Sequence, residues 1–260
     1  MARTKPLPDE DISRAEYVYR CLREGIRSGR YRPGERFREV QIAEDLQTSR
    51  TPVREAIRRL ESDRLIEDVP GRGLAVRRLT PVQVQELYVF RTALEGAAAE
   101  MAAAQASELD IAAMADALRL MREAVGDPPR AAQFNRHFHA AIQRAARNGF
   151  LDQALASMAD FMALLPGTTY DEPGRMAEVL EEHQAVLDAI MRHAPAEAAR
   201  AMRAHLKAAA RRAMPRATAS VTRRRMSCEY AMATSSHGQS HPSPAPESLS
   251  DSQFRHDALD

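Results

Sequence analysis

At 260 residues the chain is long enough for one or two domains with real cores, and a formal net charge of +1 gives no overall bias toward a polyanion or a membrane surface. Two distant cysteines, Cys21 and Cys228, exclude a disulfide framework or a cysteine zinc site. No apolar run approaches about 18 residues, so no membrane span is expected, and the opening MARTKPLPDEDISR lacks a signal-peptide core, so a cytoplasmic location is expected.

Charge is unevenly spread. Residues 1–80 hold 18 Lys/Arg against 14 Asp/Glu, while residues 81–214 hold 14 against 17. A basic front on a mildly acidic body fits a polyanion-binding head, or ordinary surface variation.

In chain order, residues 1–10 read as a flexible lead. Ile12, Ala15, Tyr19, Leu22 and Ile26 then recur at helical steps, predicting a helix over 12–27 that Gly29 and Arg32-Pro33-Gly34 stop. A short helix is expected over 39–46, with Ile42, Ala43 and Leu46 inward, and another over 52–62. Two short strands, 65–69 and 74–78, flank a Pro70-Gly71-Arg72-Gly73 turn. Past Thr80-Pro81 alanine becomes abundant and strand signals stop. Helices are expected over 81–106, 108–125, 129–147, 149–165, 173–193 and 195–214, an all-α bundle of about six or seven helices, with Asn148-Gly149 as a helix-stop pair because both residues tolerate positive φ. From Pro215 on, Ser, Pro and His dominate, and 215–260 is expected to be a disordered tail. Within it Arg223-Arg224-Arg225 reads as a solvated charge run. The fold class is therefore mostly α, with domains at 11–79 and 80–214.

The helix over 52–62 carries the first functional signal. Thr51 is expected at its N-cap and Pro52 at its first position, where proline's missing donor costs nothing. Val53, Ala56, Ile57 and Leu60 fall on one arc, facing the domain. Arg54 and Arg58 fall on the adjacent arc, with Arg50 on the same side, and Glu55 is placed to pair with Arg59 at i,i+4. Amide donors, the Ser49 and Thr51 hydroxyls and forked guanidiniums at a helix start suit phosphate oxygens and the acceptor edge of guanine. Helix, turn, helix and a two-stranded wing is the winged form of a major-groove reader, with Gly71 and Arg72 at the wing tip. Spacing alone leaves a solvated arginine face as an equal alternative.

The stretch YRPGERFREVQIAEDLQTSRTPVREAIRRLESDRLI, followed by VPGRGLAV, resembles the DNA-binding domain of GntR-family bacterial transcription regulators. The resemblance covers about residues 10–78. It implies that Arg50 and Arg54 contact DNA, with Ser49 and Thr51 on phosphates and Gly71 at the wing. Phe37 stands where a small apolar residue is usual, and Asp63-Arg64 where an acidic residue and glycine are commoner.

In the helical body, Asn135 and His139 lie at i,i+4, and His183 and His205 lie on two later helices. Three imidazoles and an amide oxygen can converge on a divalent ion such as Zn, Ni or Fe in a bundle core, although any single histidine is more often a surface or capping residue. Phe90-Arg91-Thr92-Ala93-Leu94-Glu95, Asn135 to His139, Asn148-Gly149, Glu182-His183 and Met202 to Leu206 resemble the FCD effector domain of the FadR branch of that family. That resemblance implies a metal set of Asn135, His139, His183 and His205, with Asn135 replacing the more usual aspartate, and His137 outside it. It also implies Arg91 beside an effector pocket, binding the carboxylate of a small organic acid. A buried pair of Arg91 with Glu95 is the competing reading.

Together these readings predict a homodimeric repressor on an inverted-repeat operator, modulated by an organic acid. The rivals are a regulator for which the metal ion is itself the signal, and a metal-dependent enzyme fused to a DNA-binding head. The sequence places no general base or nucleophile motif to serve the latter.

Overall fold

The first helix, α1 (Arg14–Arg27), begins where Ser13 accepts a hydrogen bond from the Glu16 amide at 3.1 Å, and it buries Val18, Leu22 and Ile26. The structure, a computed structural model, describes residues 12–165, 167 and 169–235. Next come α2 (Glu39–Asp45), α3 (Arg50–Ser62) and an antiparallel pair, β1 (Ile66–Val69) and β2 (Gly73–Val76). The register sets Ile66 opposite Val76 and Val69 opposite Gly73. Gly71 and Gly73 both take φ of +72°, the left-handed backbone that the tight wing turn requires.

These elements close on one apolar core in which α1 and α3 share Val18, Leu22, Val53, Ile57 and Leu60. Fully burying each such side chain contributes about 1.5–3 kcal/mol relative to exposure. Phe37, the departure from a small residue, fills that core beside Tyr31, with ring centroids 5.0 Å apart.

The body holds α4 (Pro81–Gln105), α5 (Glu108–Glu123), α6 (Pro128–Ala145), α7 (Gly149–Met162), α8 (Arg175–Met191) and α9 (Pro195–Ser235). Thr80 with Gln83 and Ser107 with Asp110 form capping boxes, which fix where α4 and α5 start. Ala98, Ala99, Ala102 and Ala103 of α4 are all buried, and their small side chains let neighbouring helices approach closely. Head and body pack in one compact unit that ends at Val221. The end of α7 makes the join: Leu164 is part of the head's core, and Phe161 and Ala163 pack against it. Among the described residues no helix is long and apolar enough to cross a membrane.

The structure corrects four expectations. Ser49, not Thr51, is the N-cap of α3, so Pro52 is its third residue; the first amides of a helix are unpaired anyway, so proline is tolerated there. Arg59 does not pair with Glu55. Its Nη1 donates to Glu16 at 2.6 Å and its guanidinium stacks over Tyr19. Asn148 starts a helix rather than ending one, its side chain capping the Leu151 amide, while Arg147 takes the positive φ. Finally α9 does not stop at 214 but runs through Pro215 to Ser235. Proline removes one helical bond, but residues 216–235 contain no further Pro or Gly, and Arg216 is anchored to Asp171 and Glu172. The expected lead at 1–10 and the part of the expected tail at 236–260 lie outside the described residues.

Candidate functional site

On the head, Ser49, Arg50, Thr51, Arg54, Arg58, Gly71 and Arg72 are all exposed. They belong to the start of α3 and the wing turn, and the buried arc of Val53, Ala56, Ile57 and Leu60 holds α3 with that side outward. Arg54 Nε donates to Glu39 Oε2 of α2 at 2.8 Å, which orients its guanidinium across the helix–turn–helix angle. Among the described residues Arg50, Arg58 and Arg72 make no ion pair. Arg36 and Arg38, which precede α2, line one groove together with Arg54 and Arg58. Sequence reasoning passed over Arg36 and Arg38, since they lie outside any helical pattern; their proximity comes from Arg36 bridging to Ala75 of the wing.

In the body, α6 supplies Asn135 and His139, α8 His183 and α9 His205. The three imidazoles offer ligand nitrogens that all lie within 4.8 Å of one another. His183 Nε2 and His205 Nε2 are 3.3 Å apart. Asn135 Oδ1 and His139 Nε2 are buried with no hydrogen-bond partner in the structure. His137 is exposed on the wall of a neighbouring cavity and lies outside the cluster.

Two carboxylates set the ring orientations. Glu95 on α4 accepts from His139 Nδ1 on one oxygen and from Arg91 Nε, at 2.5 Å, on the other. Glu182 on α8 accepts from His205 Nδ1 at 2.7 Å and from both Arg175 terminal nitrogens at 2.9 and 3.2 Å. Arginine, glutamate and histidine thus repeat in two chains that end on imidazoles with Nε2 turned inward. With the Nδ1 protons given to carboxylates, Nε2 of His139 and of His205 keep their lone pairs.

Electrostatics agrees with that assignment for His205. Burial, with the nearby cations, pushes His183 well below the usual imidazole range, and burial takes His205 down to about 4 against the pull of Glu182. Both rings are neutral near pH 7. Burial alone would raise Glu95 and Glu182, but the Arg91–His139 and His205–Arg175 partners outweigh it and hold both carboxyls below their usual range.

Buried lone pairs without donors are costly, and a divalent cation is what three clustered imidazoles and an amide oxygen accommodate. The donor set therefore fits a metal ion. The pairing of Arg91 with Glu95 is observed, and the Arg91 side chain also lines two cavities, of about 690 and about 280 Å³. Sequence reasoning missed Arg175 and the role of Glu182. Arg175 is 1 % exposed, and its partners lie 3 and 7 residues along its own helix, at Glu178 and Glu182.

Residues 14–76 match the family described as bacterial regulatory proteins, gntR family, and residues 86–208 match the FCD domain. A probable D-xylose utilization operon transcriptional repressor of Paenarthrobacter nicotinovorans is 32% identical over 186 residues, 70% of this chain and 81% of that protein. The galactonate operon transcriptional repressor of Escherichia coli K12 is 26% identical over 209 residues, 72% of this chain and 91% of that one. Among solved structures, a GntR transcriptional regulator from Rhodococcus sp. RHA1 superposes with a TM-score of 0.66 at 27% identity, covering 78% of this chain and 99% of that one.

Proposed function

The chain belongs to the GntR family, with an FCD domain behind its winged head, and from that premise we propose a repressor whose grip on its operator is set by a small organic acid and a divalent ion in the helical body. It is a DNA-binding transcription regulator and not an enzyme, as the family's members are. Arg50 and Arg54 read base edges at the start of α3, Ser49, Thr51 and Arg58 hold phosphates, and Gly71 and Arg72 bring the wing to the adjacent groove. Two copies joined through their helical domains present two such helices to an inverted repeat.

One observation carries the effector half of this reading. The three imidazoles lie within reach of one ion, and Asn135, one helical turn before His139, has an orphaned buried oxygen and lines a cavity together with His205 and Arg91. Asn135, His139, His183 and His205 would hold the ion. When bound, it supplies a positive centre for a carboxylate or hydroxyl oxygen. Arg91, steadied by Glu95, turns a second cation toward the same acid. One relative named for a galactonate operon supports the acid class.

The test is operator binding by the full chain, titrated with metal alone and then with metal plus organic acids. Release or tightening by an acid only when metal is present supports the reading. A full response to metal alone replaces it with a regulator that senses the ion. No bound ion in protein purified without chelator removes the metal from the proposal.

A further inference from the structure

The larger cavity, about 690 Å³, reaches beyond the histidines to the DNA-binding head, since Glu24 and Arg27 of α1 and its C-cap Ser28 form part of its wall. Its volume is well within the roughly 300–1,000 Å³ of ligand pockets and is generous for a single carboxylate group. The wall is also strongly unbalanced in charge: Arg27, Arg91, Arg136, Arg175 and Arg216 line it, against one carboxylate, Glu24.

Most of these cations are committed. Arg91 serves Glu95, Arg175 serves Glu182, and Arg216 holds Asp171 and Glu172. Arg136 is exposed, lines both cavities, and makes no ion pair among the described residues. Arg27 is partly committed. Its Nε lies 2.8 Å from Asp160 Oδ1, with the side chain still 35% exposed. Asp160 does not depend on it, because Arg23 donates to the other oxygen through Nε at 3.0 Å and Nη2 at 2.7 Å. Arg27 can therefore turn to another anion with Asp160 still paired to Arg23, at the cost of a buried Oδ1 that then faces no cation.

Asp160 belongs to α7, and α7 also presents Ala159 and Met162 to the cavity. The pairs of Asp160 with Arg23 and Arg27 join α7 to α1, which packs on the DNA-reading helix α3.

Resting on the effector reading above, we infer that the ligand is an acid with two separated anionic groups. One end lies at Arg91 and the histidine cluster; the other is taken by Arg136 and Arg27. By drawing Arg27 from Asp160, the ligand loosens one of the two ion pairs that hold the head to α7. The second anionic group thus gives both specificity and the link to the operator-binding head.

The experiment uses the full-length metal-loaded protein, with succinate, glutarate and adipate compared against butyrate, valerate and hexanoate, the monocarboxylates of matching length. Calorimetry is expected to show at least one dicarboxylate binding about tenfold more tightly than its partner, the worth of one extra charge-assisted contact. Arg136→Gln and Arg27→Gln are each expected to shrink that margin, and Arg27→Gln to blunt the change in operator affinity that the dicarboxylate causes. Arg136 is at the surface, so its variant guards against a folding artefact at Arg27. Equal affinity of matched acids in the unaltered protein, or a margin that survives both variants, overturns the inference while the effector reading stands. If no acid binds and none changes operator affinity, both fall together.

Discussion

Glu182 sits next to His183 in the chain, yet its carboxylate takes the Nδ1 proton of His205, 23 residues further on, at 2.7 Å. The contact fixes which His205 nitrogen faces the cluster. Glu182→Gln keeps the shape but weakens that hold, because a neutral amide is a poorer acceptor and can present its NH₂ instead. Metal affinity is expected to fall by about 10–100-fold, the usual cost of losing a carboxylate behind a liganding histidine. Competition against a chelator of known affinity checks it, and unchanged affinity would remove Glu182 from the site.

Asn135→Asp should act in the opposite direction. A carboxylate replaces a neutral amide oxygen that has no partner, and a charge-assisted contact is about twice as strong as a neutral one. The same chelator competition should show tighter binding, while the metal-free protein becomes less stable because the new charge sits where the structure gives the buried oxygen no donor. A variant with weaker metal binding would place Asn135 outside the ligand set.

The metal-free protein should lose stability in mild acid. His205 is lowered from 6.5 to about 4 and His183 well below 6.5, both first by burial. A group whose folded value is depressed stabilises the fold above its unfolded value, here 6.5, and that contribution is lost as pH falls toward the folded value. Thermal midpoints in chelator should therefore drop between pH 6.5 and about 4. His205→Gln should flatten that slope. An equal slope in both proteins would contradict the neutral, buried ring.

At the head, Arg54→Ala and Arg58→Ala should separate. Loss of a base-reading Arg54 is expected to cost about 1–3 kcal/mol for the operator and to relax discrimination against scrambled duplex. Loss of Arg58 should weaken both duplexes alike and reduce the salt slope by about one. Gel shifts at matched salt decide it, and unchanged discrimination with Arg54→Ala would refute the base contact.

Arg64 follows α3 with φ of +59°, left-handed backbone where a side chain is strained. Arg64→Gly relieves about 1–2 kcal/mol of strain and costs about 0.5–1 kcal/mol in chain entropy, so a net gain of roughly 0.5–1 kcal/mol is expected. A higher urea midpoint at constant slope is the readout.

Local rules made much of this legible. The arc of Val53, Ala56, Ile57 and Leu60 follows from helix geometry, and all four are buried. The strand pair followed from its glycine turn. Asn135 and His139 could be placed on one face by spacing, but that His183 and His205 come within reach is set by helix packing, which no local pattern encodes; the family resemblance supplied it. What escaped was non-local competition. Glu55 is one turn from Arg59, yet Glu16, 43 positions away, takes it, because α1 packs alongside α3. Arg175 pairs along its own helix with Glu178 and Glu182, but its burial is set by the packing of other helices and left no sign in the sequence.

Leu164, 1 % exposed, is surrounded by side chains of the first seventy-six residues although it follows the fourth body helix. A fragment that stops at the wing would keep the socket and lose the plug. By analogy with leucine truncation, the vacancy alone would cost about 2–5 kcal/mol, a large share of a small domain's stability. The two halves are therefore coupled in melting as well as in sequence, and the DNA reader borrows part of its solidity from the body it answers to.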